Sequence, residues 1–138
     1  MAKSPISLLY GDESSANDAD ASAFITTLMH GVTAIHMHHI MVTGTGSFAK
    51  HMALGVYDDL QEAVDGLAEA FIGCTGMALS FSGGTFELMD EAVQQVQAIY
   101  DYVETNRSMM GDESHIQNEI DGICTLLSSA LYKLKRLS

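Results

Sequence analysis

The run HMALGVYDDLQEAVDGLAEAF, residues 51–71, decides the fold. Wound at about 100° per residue, it carries two opposed stripes. Ala53, Val56, Leu60, Ala63, Val64, Leu67 and Phe71 make an apolar stripe, which marks a helix lying on a core. His51, Asp58, Glu62, Asp65 and Glu69 fall within roughly 60° of arc on the other side. The carboxylates therefore point away from the subunit's own core, towards water or towards another subunit.

The same periodicity extends outward from this run. A first helix is expected from about Asp18 to Val42, with Asn17, Asp18 or Asp20 as its cap and Thr43-Gly44-Thr45-Gly46 as its stop. The second runs from Ser47 to about Gly73. Cys74 to Gly84 reads as a glycine-punctuated connector, followed by a third helix from Thr85 to Asn106 and a fourth from near Asp112 to the last Leu. Ile116, Ile120, Ile123, Leu127, Ala130 and Leu134 recur at three and four in the fourth, as a buried stripe does. Four long helices make an all-α four-helix bundle over residues 17–138, behind an irregular N-terminal segment at 1–16. A connector of about eleven residues reaches roughly 35 Å when fully extended. It could cross the bundle only under strain, so up-down-up-down topology is the easier expectation.

Composition restricts function. Eighteen acids against six bases give a net charge of −12, and ten acids but no Lys or Arg lie between Lys50 and Arg107. Such a surface repels phosphate, so neither nucleic acid nor an anionic membrane is an expected partner. Residues 21–49 contain no Asp, Glu, Lys or Arg, but four His with several Thr and Gly disqualify them as a membrane span. The N-terminus lacks the apolar region of a signal peptide, and two cysteines, Cys74 and Cys124, make no disulfide framework. A cytoplasmic or intravirion protein fits.

The first helix has two uncharged faces. One carries Ile25, Leu28, Val32, Ile35 and His39; the other carries Ala23, Thr26, His30, Ala34, Met37 and Met41. A second uncharged face suggests a homo-oligomer, in contact through this helix and the outer stripe of the second.

His36-Met37-His38-His39 precedes the acidic stripe, and imidazole with carboxylate is the ligand set that suits iron, manganese or zinc. No Glu-x-x-His occurs, so a di-metal centre within one bundle is disfavoured. A site shared between subunits stays open.

His39, His51 twelve residues on, and Asp65-x-x-x-Glu69 resemble the ferroxidase signature of the starvation DNA-protection ferritins, the Dps family. Ser47-Phe48-x-x-His51-x-Ala53-Leu54-Gly55-x-x-Tyr57 is similar to small relatives of that family, some of them phage-encoded. The resemblance covers about residues 30–74. It implies a ferritin-like bundle, iron as substrate, ferroxidase chemistry, and a site made of His39 and His51 from one subunit with Asp65 and Glu69 from its twofold mate. The interval from His51 to Asp65 is one residue shorter than usual, which keeps His38 open beside His39; His36, Asp58 and Glu62 are secondary candidates. The family's basic DNA-binding tail has no counterpart here. The competing expectation is a metal-free helical bundle that serves as an interaction or assembly protein.

Overall fold

A computed structural model describes residues 16–138, so the expected irregular N-terminal segment lies outside the described residues except for Ala16. These residues form α1 (Asp18–Met41), α2 (Ser47–Leu54), α3 (Val56–Thr75), α4 (Ala92–Asn106), a 3-10 turn (Arg107–Met110) and α5 (Ser114–Arg136), with no strand among them. The all-helical expectation holds. No helix among the described residues is long and apolar enough to cross a membrane.

Local chemistry sets the ends. The Asn17 side chain accepts from the Asp20 backbone N–H at 2.8 Å, satisfying one orphan donor of α1. Gly76 closes α3 in the left-handed conformation, φ +72, with its N–H donating to Ile72. Ile116, Ile120, Ile123, Leu127, Ala130 and Leu134 of α5 are all buried, as their spacing requires. Against them pack Leu60, Val64, Leu67 and Phe71 of α3, within one core that also takes in Phe24, Ile25, Leu28 and Ile35 of α1.

α1 and α5 each pack against both α3 and α4, so α3 and α4 occupy opposite corners. Contacts along α1 fix the directions. Phe24 stacks on Tyr102 with ring centroids 5.7 Å apart, Gly31 faces Ile99, and His38 meets Gln95, so α4 runs antiparallel to α1. A Cβ on Gly31 would lie 3.0 Å from Ile99 Cδ1; only glycine permits that approach without repacking. α3 also runs antiparallel to α1: Tyr57 lies beside His39 near the end of α1, and Asp65 shares a groove with Met29 and Thr33 further back. α3 and α4 are therefore parallel, and the chain between them crosses the bundle from end to end.

This crossover replaces the up-down-up-down expectation, and its length explains why. Residues 76–91, sixteen in all, are non-helical, and α4 begins at Ala92 rather than at Thr85. Sixteen extended residues reach roughly 53 Å, well beyond the about 30 Å of the 20-residue α3. The stretch 85–91, read as helical from sequence, is drawn out to make up the span. It lies along α1 as a strap. The Ser80 N–H donates to Ser22 Oγ at 3.0 Å, and Phe86 packs its ring 5.3 Å from that of His30.

The strap also changes the reading of α1. His30 and Thr26, placed on the second uncharged face, are half-buried beside the chain's own strap, and Ala34 is fully buried in the chain. Met29, Met37, Ile40 and Met41 remain exposed.

At the α4–α5 corner, Arg107 holds the turn together. Its Nε donates to Gln117 Oε1 at 2.8 Å, Nη1 to Glu104 at 3.0 Å, and Nη2 to the Gln117 carbonyl and to Asp121. Gln117 answers by donating to the carbonyls of Arg107 and Gly111.

Candidate functional site

The second expected helix is broken at Gly55, and the break belongs to the site. His39 Nδ1 lies 2.8 Å from the His51 carbonyl oxygen, and His51 Nδ1 lies 2.9 Å from the His39 carbonyl oxygen. The Gly55 N–H, which an unbroken helix would direct at His51 alone, is shared between the carbonyls of His51 and Met52 at 3.2 Å each. A side chain inserted into the helical ladder loosens it at that point. The His39 carbonyl, near the C-terminus of α1, is one of the acceptors that a helix end leaves open. His51 fills it.

A carbonyl oxygen only accepts, so Nδ1 carries the proton in both rings. In the neutral ring Nε2 is then the unprotonated nitrogen, the form in which imidazole binds a metal ion, with the tautomer fixed by a backbone oxygen behind it. The two rings stack with centroids 3.8 Å apart and planes at 21°. Beside them His36 stacks on Tyr57, 3.8 Å apart and nearly parallel at 7°. All four side chains are half-buried. Nothing in the sequence marks Tyr57 as a site residue: its spacing to His36 has no helical logic, because α1 and α3 meet only in the fold.

His38 takes the other direction. It is buried, and its Nε2 lies 3.4 Å from Gln95 Oε1 across the α1–α4 contact. Of the two neighbouring histidines, it is His39 that the fold brings to His51.

Asp58, Glu62, Asp65 and Glu69 are all exposed on the outer side of α3, as the helical stripe required. They are not gathered with the histidines. From Tyr57 to Asp65 the helix climbs about 12 Å, and to Glu69 about 18 Å, at 1.5 Å per residue. Asp65 borders a groove of about 270 Å³ between α1 and α3, with Met29, Thr33 and Gln61. Among the described residues no three His, Cys, Asp or Glu side chains come together as a metal-holding group. Large apolar side chains next to His39 and His51 in the chain are also exposed: Ile40 by 69 %, Phe48 by 75 % and Met52 by 62 %.

The arrangement defines an all-α bundle protein with one end-to-end crossover and a backbone-locked histidine pair on its surface. Residues 39–134 match a family of unknown function (DUF5856), to which the chain belongs; the match takes in His39, His51, Asp65 and Glu69. No curated protein and no solved structure matches the chain.

Proposed function

We propose that the chain is a ferritin-like metal-binding protein with ferrous iron as its substrate, held between two copies of the chain. The observation that carries this reading is the reciprocal locking of His39 and His51, which commits each Nδ1 to a backbone carbonyl and leaves Nε2 as the nitrogen available to a metal in both rings. A single long crossover in a four-helix bundle, the connection that ferritin-like folds use, supports it. His39 and His51 supply one half of the site, and Asp65 and Glu69 of a second copy supply the other, because within one chain they stand apart. His36, Asp58 and Glu62 border the site. Imidazole favours Fe(II), and the carboxylates stabilise the ion as its charge rises on giving an electron to dioxygen or peroxide, which makes the activity ferroxidase-like. Zinc and manganese suit the same donors. Such a homo-oligomer, joined through α1 and the outer face of α3, works in a cytoplasmic or intravirion setting without nucleic acid.

A second reading draws on Ile40, Phe48 and Met52, whose exposure suits a contact surface with no metal in it. It makes the chain a metal-free assembly protein. Counting iron, zinc and manganese per purified chain after anaerobic loading separates the two. Iron retained by the parent protein, lost in Asp65→Ala and Glu69→Ala, and partly regained when a His51→Ala chain is mixed with a Glu69→Ala chain, is the expected result. No metal in the parent oligomer, or no recovery on mixing folded and assembled variants, overturns the shared site.

A further inference from the structure

Phe48 is 75 % exposed, the most exposed of the large apolar side chains among the described residues, and it lies three residues before His51 on α2. Residues three apart on a helix are neighbours on one face, with Cβ atoms about 5–6 Å apart. Whatever His51 meets across an interface, Phe48 is carried towards the same surface. Its ring has most of its area still to bury.

Asp65, the carboxylate proposed to meet those histidines from a second copy, has an apolar neighbour of its own. It borders the groove of about 270 Å³ between α1 and α3, where Val64 is buried, Val32 is half-buried, and Met29, Thr33 and Gln61 stand exposed at the rim. An apolar space of about 150 Å³ is enough to take up benzene, so a phenyl ring fits here. Methionine at the rim adapts to the shape of what enters. No aromatic and no basic side chain lines the groove.

We infer that Phe48 of each copy seats its ring in the α1–α3 groove of the other. The inference rests on the shared-site reading and supplies that oligomer with its anchor: a contact between His51 of one copy and Asp65 of the other brings Phe48 and the groove within about one helical turn of each other. Phe48 touches no metal and is a positioning residue, setting the angle at which the two halves of the site meet. Each copy carries a net charge of −12, so apolar burial has to hold the pair together. Two rings in two grooves cover on the order of 300–500 Å², roughly a quarter of the about 1,600 Å² in a standard interface. Met29, Met37 and Ile40, all exposed, continue the apolar surface along α1.

Sedimentation equilibrium and disulfide trapping on the full chain test the anchor. Phe48→Ala, and Thr33→Phe, which fills the groove from its own rim, should each weaken self-association at least tenfold. Both positions are exposed, so neither change disturbs the core. In a Cys74→Ser, Cys124→Ser background, a Phe48→Cys chain mixed with a Thr33→Cys chain should give a disulfide-linked pair on mild oxidation. Phe48→Cys mixed with Ser129→Cys, exposed on α5, should not. A monomeric parent, unweakened association in both Phe48→Ala and Thr33→Phe, or trapping no better than in the Ser129→Cys mixture overturns the anchor. Metal is counted separately: trapping through positions 48 and 33 in an oligomer that retains no iron strikes the shared metal site and keeps the anchor, whereas iron retained by a Phe48→Ala oligomer as tight as the parent keeps the metal site and strikes the anchor.

Discussion

His39 and His51 each place Nδ1 on the other's backbone carbonyl, at 2.8 and 2.9 Å, and so tie the end of α1 to α2 across the turn between them. The pair acts as a clasp and, in the proposed metal site, would separately donate its Nε2 lone pairs. His51→Ala removes one bond of the clasp and leaves the His39 carbonyl without its partner, at a cost of about 1–2 kcal/mol. For a domain of this size the unfolding midpoint should fall by roughly 3–8 °C. His51→Asn keeps an N–H donor close to the position of Nδ1 but has nothing in place of Nε2. It should regain most of the midpoint and none of the metal. Thermal unfolding run beside a metal count distinguishes these; equal midpoints for Ala and Asn would show that the clasp adds no stability.

The strap sets a minimum length. Ser80 meets Ser22, and the chain enters α4 where Gln95 meets His38, sixteen residues or about 24 Å further along α1. The strap must also pass from one corner of the bundle to the opposite one, which raises the distance to about 28 Å for helices 8–10 Å apart. Deleting residues 78–81 leaves twelve, with a reach of about 40 Å. That variant should fold, at the cost of the Ser80 to Ser22 bond. Deleting 78–86 leaves seven, with a reach of about 23 Å, and α3 and α4 can no longer both keep their places. Circular dichroism and unfolding curves should show a native bundle in the first and its loss in the second; a folded second variant of unchanged topology would contradict the crossover.

Strap and clasp differ in how far the sequence foretold them. The Ile116 to Leu134 stripe and the acid stripe of α3 were legible because a helix converts spacing into direction, and each was found facing as read. His39 and His51 were legible as a pair only through the resemblance, and the fold then chose His39 over His38. Residues 85–91 misled because Phe86, Leu88 and Met89 suit a helix locally, while the demand to cross the bundle is imposed by elements far away in sequence. Gln95 gave no signal at all: a glutamine in an amphipathic helix is ordinary, and its burial depends on His38 and Met89 arriving from other segments. Asp65 and Glu69 stand exposed on the outer face as read, and the proposed site requires a second chain to bring them to the histidines.

Arg107 spreads its donors over Gln117, Glu104 and Asp121, and Gln117 in turn caps the carbonyls of Arg107 and Gly111. A flat fork is needed to reach all of these at once, which an ammonium cannot do. Arg107→Lys should therefore destabilise nearly as much as Arg107→Ala, by about 1–3 kcal/mol, since both release hydrogen bonds to partly buried groups. Hydrogen exchange at residues 104–117 should quicken in both variants while the α1–α2 end is unaffected. Full rescue by Lys would mean that charge alone, rather than the fork, holds the corner.

Cys124 offers a pH-dependent check on the same corner. Burial, then its hydrogen bond to Glu104 Oε1 at 3.0 Å and the negative charge there, push the thiol up to about 12 from an ordinary 9.0. Because the folded value is the higher one, the thiol form is favoured by folding. Whatever stability it confers is intact below pH 9 and is lost as pH climbs towards 12. The thiolate is the reactive species, and at pH 8 its population is about a thousandfold lower at a pKa of 12 than at 9. Native Cys124, read in a Cys74→Ser background, should thus alkylate about three orders of magnitude more slowly at pH 8 than the same residue in denaturant. Glu104→Gln removes the carboxylate charge from beside the sulfur while leaving an amide in its place, and should bring the native rate up and shift its pH profile downward. An unchanged profile in that variant would assign the protection to burial alone and remove Glu104 from the account.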